Sequence, residues 1–247
     1  MKTLRALGRL CLVVQHLLGG VFTLWWTFPK LTAAQKEERI SAWARMLLAR
    51  LAIKLVVKGA LPQQGPLLLV ANHISWLDII VMHAARYCRF ISKADVKHWP
   101  VVGTLASGAG TVFIERDSRR DAVRVVHHMA ECLQQGDVLA VFPEGTTGDG
   151  QTVLPFHANL LQAAIAANAP IQPVALSFVD GPSGALSFAP CYIGDDSLLT
   201  SLWRTLCADN VHAVVHYGTP QTADGRDRRA WAHDLRNTIQ AMRAPNA

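Results

Sequence analysis

The stretch Val70-Ala-Asn-His-Ile-Ser-Trp-Leu-Asp78 decides how the rest of the chain is interpreted. It follows an apolar run at residues 67–70 that is typical of a buried strand, and it continues into Leu77-Asp-Ile-Ile-Val-Met82, which favours a helix start. His73 is therefore expected at a strand-to-helix corner. In open α/β folds such corners lie at the carboxyl edge of the sheet, where ligands bind.

Asp78 follows His73 by five residues, near the first turn of the predicted helix. A carboxylate at that place can hold one ring nitrogen of His73 and leave the other nitrogen to accept a proton, as a general base requires. The spacing has a second interpretation, because Ser75-x-x-Asp78 is also a capping-box-like helix start in which Asp78 only bonds a backbone N–H. The stretch alone leaves both interpretations open.

The composition indicates a membrane rather than a nucleic acid as the partner. The 247 residues are 51% hydrophobic, and the net charge is +6. Residues 1–60 hold ten Lys and Arg against two Glu, a net +8, whereas the remaining residues hold fourteen against sixteen, a net −2. Basic residues interleaved with apolar stretches favour an anionic membrane surface, and no nucleic-acid motif accompanies them. Five widely spaced cysteines without a C-x-x-C pattern are typical of reduced thiols in a cytoplasmic body.

Residues 1–51 are predicted to form a helical hairpin membrane anchor. Residues 10–28 carry no formal charge and are long enough to cross a hydrocarbon core, or to enter one leaflet and stay there. Residues 33–51 predict a second helix with an apolar stripe at Ile40, Ala44, Leu47 and Leu51. That stripe packs either on the core of the domain or on the membrane surface. Residues 52–247 are then the catalytic domain.

The rest of the chain predicts an α/β fold, with a mixed, mostly parallel sheet flanked by helices. Strand patterns occur at residues 53–58, which we expect to be an edge strand, and at 67–70, 88–92, 111–114, 138–142, 171–178 and 213–217. Helix patterns occur between them at residues 77–85, 119–134, 156–168 and 228–243. Residues 180–200 are rich in Gly, Pro and Asp and predict no definite element.

Polar groups follow three of these strands. Besides Asn72-His73, the block Gly110-Thr-Val-Phe-Ile-Glu115-Arg116 delivers Arg116 at a strand end, and Val141-Phe-Pro-Glu144-Gly145-Thr146 places polar groups at another. Each alone is compatible with a solvated loop charge or a polar turn. Three such exits at one edge of a sheet favour a shared site.

These blocks, followed by Ile171-Gln-Pro-Val174, resemble the four ordered blocks of the glycerophospholipid acyltransferase family, and specifically its 1-acyl-sn-glycerol-3-phosphate acyltransferase branch. The resemblance covers about residues 60–180. It implies direct acyl transfer from acyl-CoA or acyl carrier protein, as co-substrate, to the free hydroxyl of a lysolipid. No separate cofactor, no metal and no covalent intermediate are implied.

The resemblance also implies the site residues. His73 would be the general base and Asp78 would orient it. Arg116 would bind a phosphate, Glu144 and Thr146 would hold acceptor groups, and backbone N–H groups around Gly145 would stabilise the oxyanion. A membrane lipid is then the acceptor, and the inner membrane, with the catalytic domain on the cytoplasmic side, is the expected location.

One departure from the family pattern bears on the acceptor. Members acting on lysophosphatidate commonly have Arg after Glu-Gly-Thr, whereas this chain has Thr147-Gly-Asp-Gly150. Residues 142–156 are also similar to enzymes that acylate lyso-ornithine lipid. The sequence therefore predicts a lysophosphatidate acyltransferase that makes phosphatidate. O-acylation of lyso-ornithine lipid or another lysolipid is the second prediction, and a non-catalytic lipid-binding module is the rival of another class.

Overall fold

The computed structural model describes residues 2–62, 64–114 and 119–243, which form one sheet with helices on both faces. Within these residues the sheet has seven strands in the order β1-β7-β6-β2-β5-β3-β4. Every neighbouring pair is parallel except the antiparallel pair of β6 and β7. The predicted mixed, mostly parallel sheet flanked by helices is confirmed, and the strand at residues 53–58 is an edge strand as expected.

The strands are β1 (Lys54–Gly59), β2 (Leu67–Ala71), β3 (Arg89–Lys93), β4 (Val112–Ile114), β5 (Val138–Val141), β6 (Ile171–Asp180) and β7 (Val211–Tyr217). The helices are α1 (Lys2–Trp26), α2 (Ala33–Arg50), α3 (Leu77–Ala85), α4 (Val102–Gly108), α5 (Arg119–Gln134), α6 (Gln162–Ala166), α7 (Leu198–Cys207) and α8 (Arg228–Arg243). Short 3₁₀ turns lie at Phe28–Lys30, Ala94–His98 and Ala158–Leu161.

Two apolar layers cover the two faces of the sheet, and β2 contributes to both because successive side chains of a strand point to opposite faces. Leu67, Leu69 and Ala71 pack with helices α1, α2, α3 and α7. Leu68 and Val70 pack with helices α5, α6 and α8 on the other face. All five residues of β2 are buried, which explains its unbroken apolar sequence and its central position.

The two N-terminal helices pack on the domain rather than standing apart from it. The predicted stripe of α2 is buried and joins the core, and α2 packs against α3. On α1, Ala6, Val13 and Gly20 are buried at intervals of seven residues. Gly20 contacts the Trp43 ring, where a Cβ would lie 2.6 Å from Nε1. The opposite side of α1 is exposed and apolar, and α1 has the length and composition of a membrane-crossing helix.

One helix differs from the sequence-based prediction. A continuous helix was expected at residues 156–168, but the structure has a 3₁₀ turn followed by the short α6. The His157 N–H donates to the Pro143 carbonyl (2.8 Å), so this part of the chain is tied to the strand exit after β5 instead of starting a helix. The difference matters because it keeps residues 145–157 as a loop beside His73.

Candidate active site

The corners after β2 and β5 lie side by side because these strands are parallel neighbours in register. Val70 pairs with Val141, so the segments that begin at Ala71 and Phe142 leave the sheet together at its carboxyl edge. The Gly148 N–H donates to the His73 carbonyl (2.8 Å), which fixes the loop after β5 against the corner after β2. Two of the three predicted strand exits thus meet at one place.

The His73 ring is held by Asp78. Nδ1 of His73 lies 2.8 Å from Oδ2 of Asp78, whose side chain is fully buried. The His73 side chain keeps 19% of its surface exposed, which leaves it accessible to a substrate. With Nδ1 committed to the carboxylate, Nε2 is the nitrogen that can take a proton from a ligand.

The same oxygen of Asp78 also organises the corner itself. Oδ2 accepts the backbone N–H groups of Ile74 (2.6 Å) and Ser75 (2.9 Å), while Oδ1 is buried and has no hydrogen-bond partner among the residues that the structure describes. The two interpretations left open by the sequence are therefore both fulfilled geometrically. Asp78 caps the turn that leads into α3 and orients the histidine at once.

Phe142 forms the other wall of the imidazole. Its ring is stacked on the His73 ring with centroids 4.1 Å apart and planes inclined by 9°. Phe90 stacks behind Phe142 at 5.7 Å, and the buried His83 meets Phe90 edge-on at 5.0 Å. Burial lowers the pKa of His83 to about 4, so it is a neutral member of this aromatic column. Sequence reasoning quoted Phe142 only as part of its block and did not foresee the stacking.

Glu144 is buried, and both of its carboxylate oxygens are occupied. Oε1 accepts the His73 N–H (2.6 Å) and Oε2 accepts the Leu154 N–H (2.8 Å). Burial raises the pKa of the Glu144 carboxyl above its ordinary value, whereas these two N–H groups and the nearby His73 and Arg243 oppose the rise. The carboxylate fixes the backbone of His73 from the neighbouring strand exit.

Gly145 and Thr146, in the loop that follows β5, are exposed. Gly145 has φ +71°, and a Cβ there would lie 3.0 Å from the His157 ring, so both conformation and space favour glycine. Its N–H donates to the Phe142 carbonyl (3.1 Å). The Thr147 hydroxyl donates to the Tyr192 carbonyl and is thereby turned into the protein.

Arg116 lies outside the described residues, as does Glu115. The preceding strand β4 ends at Ile114, and its parallel pairing with β3 directs its carboxyl end to the same edge of the sheet as β2 and β5. The expectation that Arg116 serves this site therefore stays a prediction.

Arg243, at the end of α8, is a neighbour of the site that sequence reasoning missed. It donates through Nε to the Leu176 carbonyl (3.1 Å) and through Nη2 to the Gly150 carbonyl. Asn72 bonds the same Leu176 on both its carbonyl and its N–H. Burial lowers the pKa of the Arg243 guanidinium, while Glu144, Asp149 and Asp78 oppose this. No local pattern marks Arg243, because its partners are 67 and 93 residues away.

The cysteine beside the loop is a poor nucleophile. Burial raises the pKa of Cys191 to about 11, and neighbouring Asp78 contributes to the rise. Its Sγ lies 3.5 Å from the Asp149 carbonyl. Among the residues that the structure describes, no group of three or more His, Cys, Asp or Glu is placed to hold a metal ion.

The site has a strand-exit histidine held by a buried carboxylate, and comparison with known proteins defines the class. The family model described as Acyltransferase matches residues 53–177, and the chain belongs to this acyltransferase family. The predicted family membership and the assignment as an enzyme of acyl transfer are confirmed.

Two similar relatives and one solved structure refine the comparison. The chain is 39% identical over 199 residues to the lyso-ornithine lipid O-acyltransferase of Pseudomonas aeruginosa, covering 80% of this chain and 75% of the relative. It is 37% identical over 214 residues to the 1-acyl-sn-glycerol-3-phosphate acyltransferase of Neisseria gonorrhoeae, covering 86% and 83%. The fold matches the crystal structure of the 1-acyl-sn-glycerophosphate acyltransferase of Thermotoga maritima, with a TM-score of 0.69, 19% identity and full coverage of both chains.

Proposed function

We propose that this protein is a membrane-associated lysophospholipid acyltransferase that moves an acyl chain from acyl-CoA or acyl carrier protein to the free hydroxyl of 1-acyl-sn-glycerol 3-phosphate, giving phosphatidate. The observation that carries the proposal is the His73–Asp78 pair at the carboxyl edge of the sheet, inside the segment that matches the acyltransferase family. The named relative from Neisseria gonorrhoeae supports this acceptor.

His73 acts as the general base in the proposed reaction. Nε2 takes the proton of the acceptor hydroxyl while the hydroxyl oxygen forms a bond to the thioester carbonyl carbon. The tetrahedral intermediate then expels the thiolate, which takes the proton back from His73. Asp78 stabilises the imidazolium that forms between these steps, and the face of Phe142 contributes a cation–π attraction. A well-placed general base contributes on the order of 10²–10⁴ in rate.

The oxyanion requires preorganised donors, and we propose backbone N–H groups beside Gly145. Because the Gly145 N–H itself donates to the Phe142 carbonyl, the amides of the exposed Thr146 and of Thr147 are the proposed donors. Glu144 is assigned a positioning role, since both of its oxygens are engaged by backbone N–H groups. Arg116 remains the proposed partner of the acceptor phosphate.

Lyso-ornithine lipid is the second candidate acceptor, and a specific observation favours it. Position 147, where relatives acting on lysophosphatidate commonly have Arg, holds a threonine whose hydroxyl bonds the Tyr192 carbonyl. That side chain offers no cation to a phosphate. The relative from Pseudomonas aeruginosa is named for this acceptor.

The proposed membrane attachment uses the outer side of α1. Ala6, Val13 and Gly20 face the domain, so α1 lies along the protein for most of its length. A helix packed in this way suits one leaflet better than a full crossing, because a crossing would carry the catalytic domain into the hydrocarbon. We therefore propose attachment to the cytoplasmic leaflet of the inner membrane, with anionic lipid attracted by the basic N-terminal region.

The test is transfer of a radiolabelled acyl chain by the purified full chain. Acyl-CoA and acyl carrier protein are each offered with lysophosphatidate or lyso-ornithine lipid, in four separate reactions. His73→Ala should lower kcat at least 10²-fold. His127→Ala is the matched control, because that histidine is 77% exposed on α5, and it should keep wild-type turnover.

The outcomes separate the candidates. Faster turnover of lysophosphatidate supports phosphatidate synthesis, and faster turnover of lyso-ornithine lipid supports the second acceptor. Wild-type rates in folded His73→Ala protein would overturn the general-base assignment.

A further inference from the structure

Helix α7 carries large apolar side chains on its solvent side. Leu199 is 76% exposed and Trp203 is 38% exposed. The single charged residue of α7, Arg204, is held by hydrogen bonds to Asp196 and to the carbonyls of Ala189 and Cys191, and 38% of its side chain is exposed. The outer side of α7 therefore presents leucine and tryptophan, and its one charged side chain is engaged by neighbouring groups of the protein, which is unusual for a helix facing water.

Helix α7 is fastened alongside α1. The Arg9 guanidinium donates to the carbonyls of Leu206 (2.8 Å) and Ala208 (2.7 Å) at the carboxyl end of α7. Arg5 and Arg9 both pair with Asp209 just beyond it. These contacts link residues about 200 positions apart, so the pairing of α1 with α7 is a built interface rather than a chance approach.

The two helices share one apolar surface. Between them runs a groove of about 250 Å³ lined entirely by apolar side chains of Leu10, Leu199, Leu202, Trp203 and Leu206. The outward side of α1 continues this surface through exposed Leu7, Val14, Leu18, Phe22 and Trp25. The outer surface of α7 is thus continuous with the side of α1 to which membrane attachment is assigned.

Helix α7 also connects this surface to the catalytic corner. The Trp76 Nε1–H donates to the Ser201 hydroxyl (3.1 Å), and that hydroxyl bonds the Cys191 carbonyl (3.0 Å). Ser75, next to the Asp78 cap, donates to the Pro190 carbonyl (2.5 Å). The depth of α7 at a membrane would therefore fix the depth of the corner that holds His73.

We propose that α7 inserts into the lipid bilayer beside α1 and is a second membrane-contacting element, which belongs to the catalytic domain itself. The occupant is the interfacial and acyl-chain region of a bilayer, because the surface combines exposed leucines with a tryptophan and is flanked by the partly exposed Arg5 and Arg204, as membrane-interface belts are. The inference rests on the proposed membrane attachment through α1. It adds that the active-site corner is held at the membrane by a rigid pair of helices.

Environment-sensitive fluorescence tests the insertion of α7 and the attachment through α1 separately. Three variants with one introduced surface cysteine each, Leu199→Cys, Leu18→Cys and Val123→Cys, are made in a Cys11→Ser, Cys207→Ala background, in which the remaining native cysteines are buried, and are labelled with a nitrobenzoxadiazole fluorophore. Leu18 lies on the outer side of α1. Val123 is 69% exposed on α5, on the other face of the sheet, and serves as the matched control. The proteins are mixed with vesicles of phosphatidylethanolamine and phosphatidylglycerol.

The inference predicts a blue shift and brightening at positions 199 and 18, and no change at 123. A response at 18 without one at 199 overturns the role of α7 and leaves the attachment through α1 intact. No response at either position overturns the membrane attachment itself. A response at 199 that appears without vesicles and grows with protein concentration shows a second copy on this surface, which also overturns the proposal.

A charge placed on α7 gives an independent readout. We expect Leu199→Glu to weaken partitioning into these vesicles about tenfold or more, since a carboxylate replaces a leucine side chain that the proposal places in the bilayer. Val123→Glu makes the same chemical change on the control face and should partition like the wild type. Equal partitioning of the Leu199→Glu variant and the wild type would overturn the proposal.

Discussion

Replacing Asp78 by asparagine removes one charge and almost no volume. In the structure Oδ2 accepts three hydrogen bonds, from the His73 ring and from two backbone N–H groups. The asparagine oxygen can occupy the Oδ2 position and keep accepting them. The amide NH₂ then lies where Oδ1 is now, which is a buried position without a hydrogen-bond partner. We expect this to cost roughly 1–3 kcal/mol of folding free energy.

The loss of catalysis follows from the imidazolium that His73 becomes. With Nδ1 and Oδ2 2.8 Å apart, the centres of the two charges are separated by about 4 Å. At an effective dielectric constant of about 20 the attraction is roughly 4 kcal/mol, and each 1.36 kcal/mol is a factor of about ten in rate. Because the amide retains part of the hydrogen bond, we expect kcat to fall on the order of 10²–10³-fold.

The assay is acyl transfer to lysophosphatidate under saturating donor and acceptor, well below the unfolding temperature of the variant. Thermal unfolding in the same detergent establishes that the compared proteins are folded. Asp224→Asn is the control, because this variant makes the same chemical change at a residue that is 70% exposed in a turn away from the site. If folded Asp78→Asn protein keeps kcat within threefold of the wild type, the ion-pair argument for His73 is refuted.

Three further changes test the walls of the site. We expect Phe142→Leu to lower kcat about tenfold with little change in the KM for the acceptor, because the lost cation–π attraction acts on the imidazolium, and Phe142→Tyr to restore most of it; a change in KM alone would contradict this. Glu144→Gln should reduce the unfolding free energy by about 1–3 kcal/mol, because an amide can accept only one of two buried N–H groups. Burial raises the pKa of Glu144 in the folded protein, so the stability that Glu144 contributes declines as the pH rises above the ordinary pKa of a glutamate. The difference in unfolding free energy between the wild type and Glu144→Gln should therefore narrow with rising pH. Denaturant titrations in which this difference widens would contradict the raised pKa. Gly145→Ala should lower the unfolding free energy more than Gly184→Ala, because both glycines have a left-handed φ but only a Cβ at position 145 would meet the His157 ring. Equal losses of unfolding free energy in denaturant titrations would contradict this packing argument.

The elements that the sequence predicted well are those whose pattern has a single physical cause. Helices α5 and α8 have the predicted bounds because their apolar stripes recur with the helical period over sixteen residues. The central strand β2 is apolar at every position because both of its faces are buried. The order of the strands in the sheet could not be predicted from the sequence, since strand pairing depends on contacts between distant segments.

Helices α4 and α7 were not predicted from the sequence, and each case has a local cause. Helix α4 has only seven residues and contains two glycines, which lower helix propensity. Gly103 is required there by a close approach, because a Cβ would lie 2.1 Å from the Lys97 carbonyl oxygen. Helix α7 begins just inside a segment rich in Gly and Pro, although its Ser197 cap, which accepts the Thr200 N–H, was a usable signal.

The site was predictable where partners are close in the chain and hidden where they are distant. His73 and Asp78 are five residues apart, so the short turn between β2 and α3 brings them together. Phe142 approaches the ring only because β5 is the neighbour of β2, and the sequence cannot show that pairing. The prediction that Glu144 contacts the acceptor stays untested, but its carboxylate is engaged by two backbone N–H groups in this structure.

The position of His73 is set from two directions by two carboxylates that hold different parts of the residue. Asp78 lies on the helix that follows His73 and holds its ring, whereas Glu144 comes from the exit of the adjacent strand and holds its backbone N–H. The second oxygen of Glu144 accepts the Leu154 N–H, so the loop between them is fixed relative to the base. The same loop carries the exposed Thr146. Because the parallel register of β2 and β5 brings Glu144 beside the corner after β2, the geometry between His73 and the loop after β5 is a property of the sheet itself, and a contact between residues about seventy positions apart depends on it.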